Sequence, residues 1–364
     1  MAIDPKTGAA KTVFPSDSRF YTSAAWLPDG SGLVVLFEDS STNFIRDQIA
    51  LISYPGGEFH PITSDLNSYN GLAISADGAV IATILKEDHW NIYTRSSGSA
   101  HDEIGAQVSR DVIFHFNWTS DSKLLASPDL KLHLYNSDGS GKTTIYEDAR
   151  HPSFEAAECG EQSIIFVSAN LVAPLAANIW RIDRNGANLK QLTFGKDDRA
   201  PICSPDGATV LFLREGKLMR VSGEGKQPTI FATVNLSLGE NGAANFSPDG
   251  KAVVAPAFSG DGKSHFLVFD AQSGQVVHNV DAPPHSGDQI RFTTDGKAIA
   301  YPIIENGAAN LWMQPLDGGP PRQLTEFKSG GISDFHRSLD GKQLALSYGR
   351  TDADVVLIRD SHQR

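Results

Sequence analysis

Along the whole chain, short apolar runs are separated by clusters of Ser, Pro, Asp and Gly, and one such unit recurs. In Ala244-Asn245-Phe246-Ser247-Pro248-Asp249-Gly250-Lys251-Ala252-Val253-Val254 an apolar run, a turn and a second apolar run follow one another. Proline presets φ where the turn begins, aspartate bonds the backbone just ahead of it, and glycine accepts positive φ, so the unit predicts a β-hairpin. Copies stand at Trp26-Leu27-Pro28-Asp29-Gly30, Ile74-Ser75-Ala76-Asp77-Gly78, Cys203-Ser204-Pro205-Asp206-Gly207, Phe292-Thr293-Thr294-Asp295-Gly296 and Arg337-Ser338-Leu339-Asp340-Gly341. Weaker copies are Trp118-Thr119-Ser120-Asp121-Ser122 and Ala156-Ala157-Glu158-Cys159-Gly160.

The aspartate position of this turn falls at 29, 77, 121, 159, 206, 249, 295 and 340, giving spacings of 48, 44, 38, 47, 43, 46 and 45 residues. A repeat of that length built from short strands predicts an all-β chain: an eight-bladed β-propeller of four-stranded antiparallel blades. Seven blades is the alternative, should a weak copy near 121 or 159 be an insertion. Residues 1–364 read as a single domain, with no linker or charge block dividing them. The second blade is expected to contain Ala79 to Leu85 followed by Asn91-Ile92-Tyr93. Ile3-Asp4-Pro5-Lys6-Thr7-Gly8 resembles Phe269-Asp270-Ala271-Gln272-Ser273-Gly274, so the chain is expected to begin partway through a blade. The last blade, 331–360, supplies three strands in Ile332 to Arg337, Gln343 to Ser347 and Asp354 to Arg359. An N-terminal strand at 9–14 is expected to complete it by pairing with 354–359, closing the ring and removing two open edges.

Three residues before each turn position stand Trp26, Ile74, Trp118, Ala156, Cys203, Phe246, Phe292 and Arg337. Five before it stand Ala24, Leu72, Phe116, Phe154, Pro201, Ala244, Ile290 and Phe335. This period-two pattern predicts an innermost strand packed against the neighbouring blade, with Trp26 and Trp118 in the core. Six to eight positions before the turn, the inner strands begin and should line a channel mouth. The candidates there are Tyr21, Tyr69, Asn70, His115, His151, Asp198, Arg199, Asn241, Asp288 and Asp334, a mixture of aromatic, imidazole and charged groups suited to a small polar ligand or a peptide end. Asn91, Asn178 and Asn310 recur ahead of the third strand and read as structural hydrogen-bonding residues.

Charge narrows the choice of partner. The chain carries 43 acidic residues against 31 Lys and Arg, a net charge of −12, and its basic residues are scattered. Nucleic acid and direct membrane insertion are therefore not expected. Cys159 and Cys203 lie one repeat apart, and buried free thiols are favoured here over a disulfide. Gly139-Ser140-Gly141-Lys142-Thr143-Thr144 ends like a phosphate-binding loop, but the motif's first glycine would fall on Asn136 and a strand follows, so it reads as a hairpin turn. The chain holds no G-x-S-x-G, no His-Glu-x-x-His and no Asp-rich calcium loop. No catalytic residue is assigned and the metal content is unknown; no cofactor is expected, with a channel calcium left open.

Ser-Pro-Asp-Gly followed by a β-branched strand, Asn-Ile-Trp at 178–180 and Gln-Leu-Thr at 191–193 together resemble the TolB-like, WD-related propeller repeat. The run from Asn310-Leu311-Trp312 through Gln323-Leu324-Thr325 to Asp354-Val355-Val356-Leu357-Ile358-Arg359 is similar to the C-terminal propellers of bacterial membrane-anchored Ser/Thr protein kinases and related transmembrane regulators. The resemblance implies a non-catalytic sensor or interaction propeller, monomeric and extracytoplasmic (periplasmic), in a membrane-anchored parent. Its partner would be a protein or a small polar ligand at the channel face. The alternatives are a propeller hydrolase or lactonase with a channel metal, and the gating propeller of a serine peptidase.

Overall fold

The computed structural model describes residues 2–3, 6–8, 10–12, 19–39, 46–169, 176–232, 244–258 and 263–359. These are all-β, and they form eight blade-like antiparallel sheets of three or four strands, besides one two-stranded pair. They fall into two compact units, Met1–His89 with Thr351–Arg364, and Trp90–Arg350.

In the smaller unit β1 (Ala2–Ile3) pairs with β2 (Ala10–Lys11). β3 (Phe20–Trp26), β4 (Gly32–Glu38), β5 (Gln48–Ser53) and β6 (Phe59–Pro61) make a four-stranded sheet in chain order. β7 (Ser68–Ile74) and β8 (Val80–Asp88) make a three-stranded sheet with the distant β33 (Thr351–Arg359). Val34, Leu36 and Ile49 of the first sheet meet Tyr69, Ile81, Val356 and Ile358 of the second in one apolar cluster.

The larger unit has six four-stranded sheets. The first combines β9 (Asn91–Ser96) and β10 (Ala106–Gln107) with β31 (Gly331–Arg337) and β32 (Gln343–Gly349), in the order β10-β9-β32-β31. The next two are β11 (Phe116–Trp118), β12 (Lys123–Ala126), β13 (Leu132–Asn136) and β14 (Lys142–Tyr146), then β15 (Ser153–Cys159), β16 (Ser163–Ala169), β17 (Ala177–Asp183) and β18 (Lys190–Gln191). β19 (Asp198–Cys203), β20 (Thr209–Arg214), β21 (Lys217–Ser222) and β22 (Thr229–Ala232) follow. The last two are β23 (Asn245–Phe246), β24 (Ala252–Phe258), β25 (Ser264–Asp270) and β26 (Val276–Asp281), then β27 (Arg291–Phe292), β28 (Ala298–Glu305), β29 (Ala308–Pro315) and β30 (Arg322–Gln323).

Adjacent residues of each second strand serve opposite neighbours, because successive side chains leave a strand on opposite faces. Leu124 packs back toward Ile92 and Ala345. Leu125 packs forward toward Ile164 and Phe166. Ile165 then meets Val210 and Phe212, and Leu211 meets Val253 and Phe269. Val254 meets Ile299 and Tyr301, while Ala300 meets Phe335 and Leu346. The last cluster returns to the sheet from which the first began, so the six sheets of this unit form a closed cycle of apolar contacts.

The repeated turn has the chemistry its sequence predicts. In the Ser204 copy, Ser204 Oγ donates to Asp206 Oδ1 at 2.5 Å, the Ala208 N–H donates to the same oxygen at 3.0 Å, and Thr209 N–H donates to Ser204 Oγ at 2.9 Å. Copies beginning at Ser75, Ser247, Thr293 and Ser338 make the same set of bonds. In the weak copy at 121, Ser122 occupies the glycine position at φ 63°, and Glu158 of the next sheet accepts the Ser120 N–H at 2.7 Å. The asparagines are structural as expected: Asn178 Nδ2 donates to the Gly195 carbonyl at 2.8 Å, and Asn310 Nδ2 to the Phe327 carbonyl at 3.1 Å.

Four expectations are corrected. Residues 354–359 do not serve as the third strand on 343–347: β33 pairs with β8, and β9 takes the place on β32. Tyr348↔Asn91 and Thr351↔Asp88 lie on one residue-for-residue alignment, so exchanging β9 and β33 leaves every side chain on its proper face, and hydrophobic period alone cannot tell the two pairings apart. Within 9–14, the described pair Ala10–Lys11 bonds to Ala2–Ile3, not to 354–359; residues 9, 13 and 14 lie outside the described residues. Cys159 and Cys203 are disulfide-bonded, because the ends of the adjacent inner strands β15 and β19 bring their Cα atoms to 5.1 Å. Trp118 is buried and donates Nε1–H to the His336 carbonyl at 3.0 Å, but Trp26 is 45% exposed, edge-on to Tyr54.

The disulfide closes a loop of 44 residues in the unfolded chain. Replacing both cysteines by serine should therefore cost about 4 kcal/mol. Calorimetry of the double variant is expected to show a transition several degrees lower; coincident transitions would show that the crosslink leaves stability unchanged.

Candidate functional site

Five of the six inner strands of the larger unit carry a polar residue between the two apolar positions of the pattern. Four residues before the turn stand Asn117, Glu155, Asn245, Arg291 and His336. Two of these tie neighbouring sheets: Asn117 Nδ2 donates to the Ala156 carbonyl at 2.7 Å, and Asn245 Nδ2 to the Ile290 carbonyl at 2.9 Å. The others build a charged cluster with Asp334.

Asp334 is buried on β31, where a register shift between Ile332 and Asp334 re-aims the strand. Its Oδ1 accepts from Arg291 Nη2 at 2.8 Å and from the Phe335 N–H at 2.8 Å, and its Oδ2 accepts from the Phe116 N–H at 3.3 Å. His115 Nδ1 lies 3.7 Å from Oδ2, and His336 Nε2 lies 3.6 Å from Oδ1. Arg291 also directs Nε and Nη2 at His336 Nε2, at 3.1 and 2.8 Å. A nitrogen that faces two guanidinium donors is an acceptor, which puts the ring proton of His336 on Nδ1. β11, β27 and β31 thus converge on one carboxylate.

Burial alone would raise the Asp334 carboxyl, but the Arg291 charge and the pairing with His115 outweigh it and hold it well below the usual carboxylate range. Burial and the Arg291 charge push His336 down. Burial also works against protonated His115, yet its pairing with Asp334 prevails and raises it. His115 keeps about a third of its side chain exposed and is the cluster's outlet to solvent. Glu155 lies on a second bulge, between Phe154 and Ala157, with φ 43°. It accepts the Ala200 N–H at 2.6 Å, and burial raises its carboxyl.

Of the ten mouth candidates, the structure brings together His115 and Asp334. Asp198 is fully buried and clamped by Arg214 at 2.6 and 2.9 Å, with the Gly195 N–H at 3.2 Å, so it fixes a loop. Arg199 is exposed beside Asp197 at 2.6 Å. His151 bonds Asp148 at 3.2 Å and faces Trp180. Asp288 is half-buried, and Asn241 lies outside the described residues. Tyr21, Tyr69 and Asn70 belong to the smaller unit, where Tyr69 is buried with its hydroxyl on Asp65 at 2.7 Å, Asn70 is exposed and Tyr21 packs beside Phe37 and Phe59. Arg291, His336 and Glu155 were missed; the polar position inside the apolar period was the available signal. Among the described residues, no three His, Cys, Asp or Glu side chains gather as metal ligands would.

No protein-family model matches the chain. A stretch of 133 residues, 35% of the chain, is 29% identical to dipeptidyl-peptidase 5 of Porphyromonas endodontalis, and the match spans 18% of that protein's length. Among solved structures, similarity extends to an oligogalacturonate lyase in complex with manganese, at 11% identity and TM-score 0.43, over 90% of this chain and 88% of that one. TolB from Acinetobacter baumannii gives 13% identity and TM-score 0.40, over 94% and 68%. The Dos1 propeller gives 11% identity and TM-score 0.41, over 91% and 93%.

The raised His115 value sets a sign for pH dependence. Its contribution is present in full below the ordinary histidine value of 6.5 and is lost as pH rises through the higher folded-state value. The stability difference between wild type and His115→Gln should therefore be larger at pH 5 than at pH 8, read by denaturant titration. A second substitution tests the buried pair: Arg291→Met leaves the Asp334 carboxylate uncompensated and should cost about 3 to 5 kcal/mol. A cost within error of zero in the same titration would show that Asp334 does not depend on Arg291.

Proposed function

We propose that this chain is a non-catalytic recognition propeller, the sensor or interaction part of a bacterial Ser/Thr kinase or transcriptional regulator, working outside the cytoplasm. The observation that carries this reading is the Asp334, Arg291 and His336 cluster, built from two inner strands of different sheets and reaching solvent through His115, next to a third. Its charged groups are paired and hydrogen-bonded, which holds the outermost imidazole rigidly, as recognition of a polar ligand requires. The Cys159–Cys203 disulfide supports an oxidising compartment. Among the described residues no helix is long and apolar enough to cross a membrane.

The local identity with dipeptidyl-peptidase 5 favours one second reading, a propeller that gates a peptidase domain. The two readings differ in their ligand: a gate meets peptides only as cargo, whereas a sensor binds its ligand to saturation.

The test is a thermal-shift panel of small polar metabolites and short peptides on the purified chain and on His115→Ala. A ligand at a hundredfold excess over its Kd adds about 2.7 kcal/mol to stability. At least one compound is expected to raise the wild-type Tm saturably, with affinity falling on the order of tenfold in His115→Ala. Hydrolysis or elimination of a compound by the purified wild type, abolished in His115→Ala, would overturn the non-catalytic reading.

A further inference from the structure

The two cysteines of the chain join β15 to β19, adjacent inner strands, at the ends where both strands run into their turns. At that end the backbones pack closely: a Cβ placed on Gly207 would lie 3.3 Å from Gly160 Cα. Toward the mouth the same two strands meet again, where Glu155 accepts the Ala200 N–H at 2.6 Å.

Both strands are bulged at this second joint. β15 shifts register between Phe154 and Ala157, and β19 between Arg199 and Ile202. Glu155 stands at φ 43° and Ala200 at φ 49°, left-handed conformations that are costly for a residue with a Cβ. Ala200 holds its conformation ahead of Pro201, where extended backbone is favoured. The corresponding bulge of β7 places Gly71 at φ 68°, which glycine adopts freely. From the bulges to the cysteines the ladders are unbroken: Ala157, Glu158 and Cys159 pair with Ile165, Ile164 and Ser163, and Ile202 and Cys203 pair with Leu211 and Val210. A constraint on the sulfurs therefore reaches both left-handed residues through a short, ladder-paired stretch of each strand.

We propose that the Cys159–Cys203 disulfide is a redox lock on the mouth of the recognition site, holding Glu155 against Ala200 when closed and releasing both when reduced. Left-handed residues other than glycine persist only where their surroundings over-determine them, and opening the crosslink removes one of those constraints. Cys203 is half-buried and Cys159 is buried, so a dithiol reductant attacks Cys203 Sγ. Its thiolate forms a mixed disulfide while the Cys159 thiolate leaves and takes up a proton; the second thiol of the reductant then closes on the first and releases Cys203. Two electrons and two protons pass from the dithiol to the cysteine pair. The Glu155 charge, after the stronger influence of Asp334, favours the protonated imidazole of His115, so moving Glu155 alters the group that faces solvent. The role of the lock rests on the recognition reading; its existence is read at the joint itself, without a ligand, and stands or falls separately.

Dithiothreitol is added to the native chain well below the melting transition of the reduced form, and thiol titration is expected to find both cysteines released. Hydrogen exchange at the Ala200 amide, followed by NMR, should then accelerate on the order of tenfold or more, whereas the Leu211 amide in the same sheet should change far less. The double variant Cys159→Ser, Cys203→Ser should exchange as the reduced chain does and ignore the reductant. Ala200→Gly accepts the left-handed backbone without the crosslink, so the amide at that position should respond less to reduction. Cysteines that stay paired in the folded chain, equal exchange in both redox states, equal acceleration at Ala200 and Leu211, or an undiminished response in Ala200→Gly would each overturn the proposal.

Discussion

A sheet buried on both faces needs a neighbour on each side, and that demand organises the larger unit. Leu124 and Leu125, or Val253 and Val254, are adjacent in the chain yet belong to different apolar clusters. No sheet of this unit can therefore be terminal: an end sheet would leave one of its two faces in water, at roughly 25 cal/mol for each Å² of apolar surface. The contact of Ala345 with Ile92 and Leu124 meets the demand, because it lets the sheet holding β31 and β32 pack on both of its neighbours.

The same demand shapes the polar centre. An inner strand has little room for polar side chains, since both faces serve neighbouring sheets. Bulges at Glu155 and before Asp334 are local exceptions that turn a carboxylate away from the apolar period. Once turned inward, Asp334 is costly to bury alone, and Arg291 from a different sheet supplies the compensating charge. The polar cluster is thus a tie between sheets as well as a surface that meets solvent, and His115 is where the two roles join.

Much of the fold was legible from the chain. The Ser-x-Asp-Gly turns fix where hairpins fall because their bonds are local, lying within five residues of Ser204 or Ser247. Strand partnership was less legible: β9 and β33 satisfy the same hydrophobic alternation, and long-range pairing carries no local mark. The cysteines were misjudged for a related reason: a spacing of one repeat is compatible with a bridge as well as with the buried thiols that were favoured, and only the approach of the two strands decides between them. In the candidate site, His115 and Asp334 could be found by counting from the turn. Glu155, Arg291 and His336 lie outside those offsets, because they sit between the apolar positions that mark the inner strand.

The first sheet of the larger unit draws β9 from residues 91–96 and β32 from residues 343–349. During synthesis, the early strand emerges long before its partner exists. Sheets between them can assemble in order, each against the one before, but the arc they make keeps two apolar ends until the distant strand arrives. Contacts of such sequence separation form slowly, and the unfinished arc presents unpaired backbone to other chains. For this architecture, the hazardous period of folding is the wait for the last repeat.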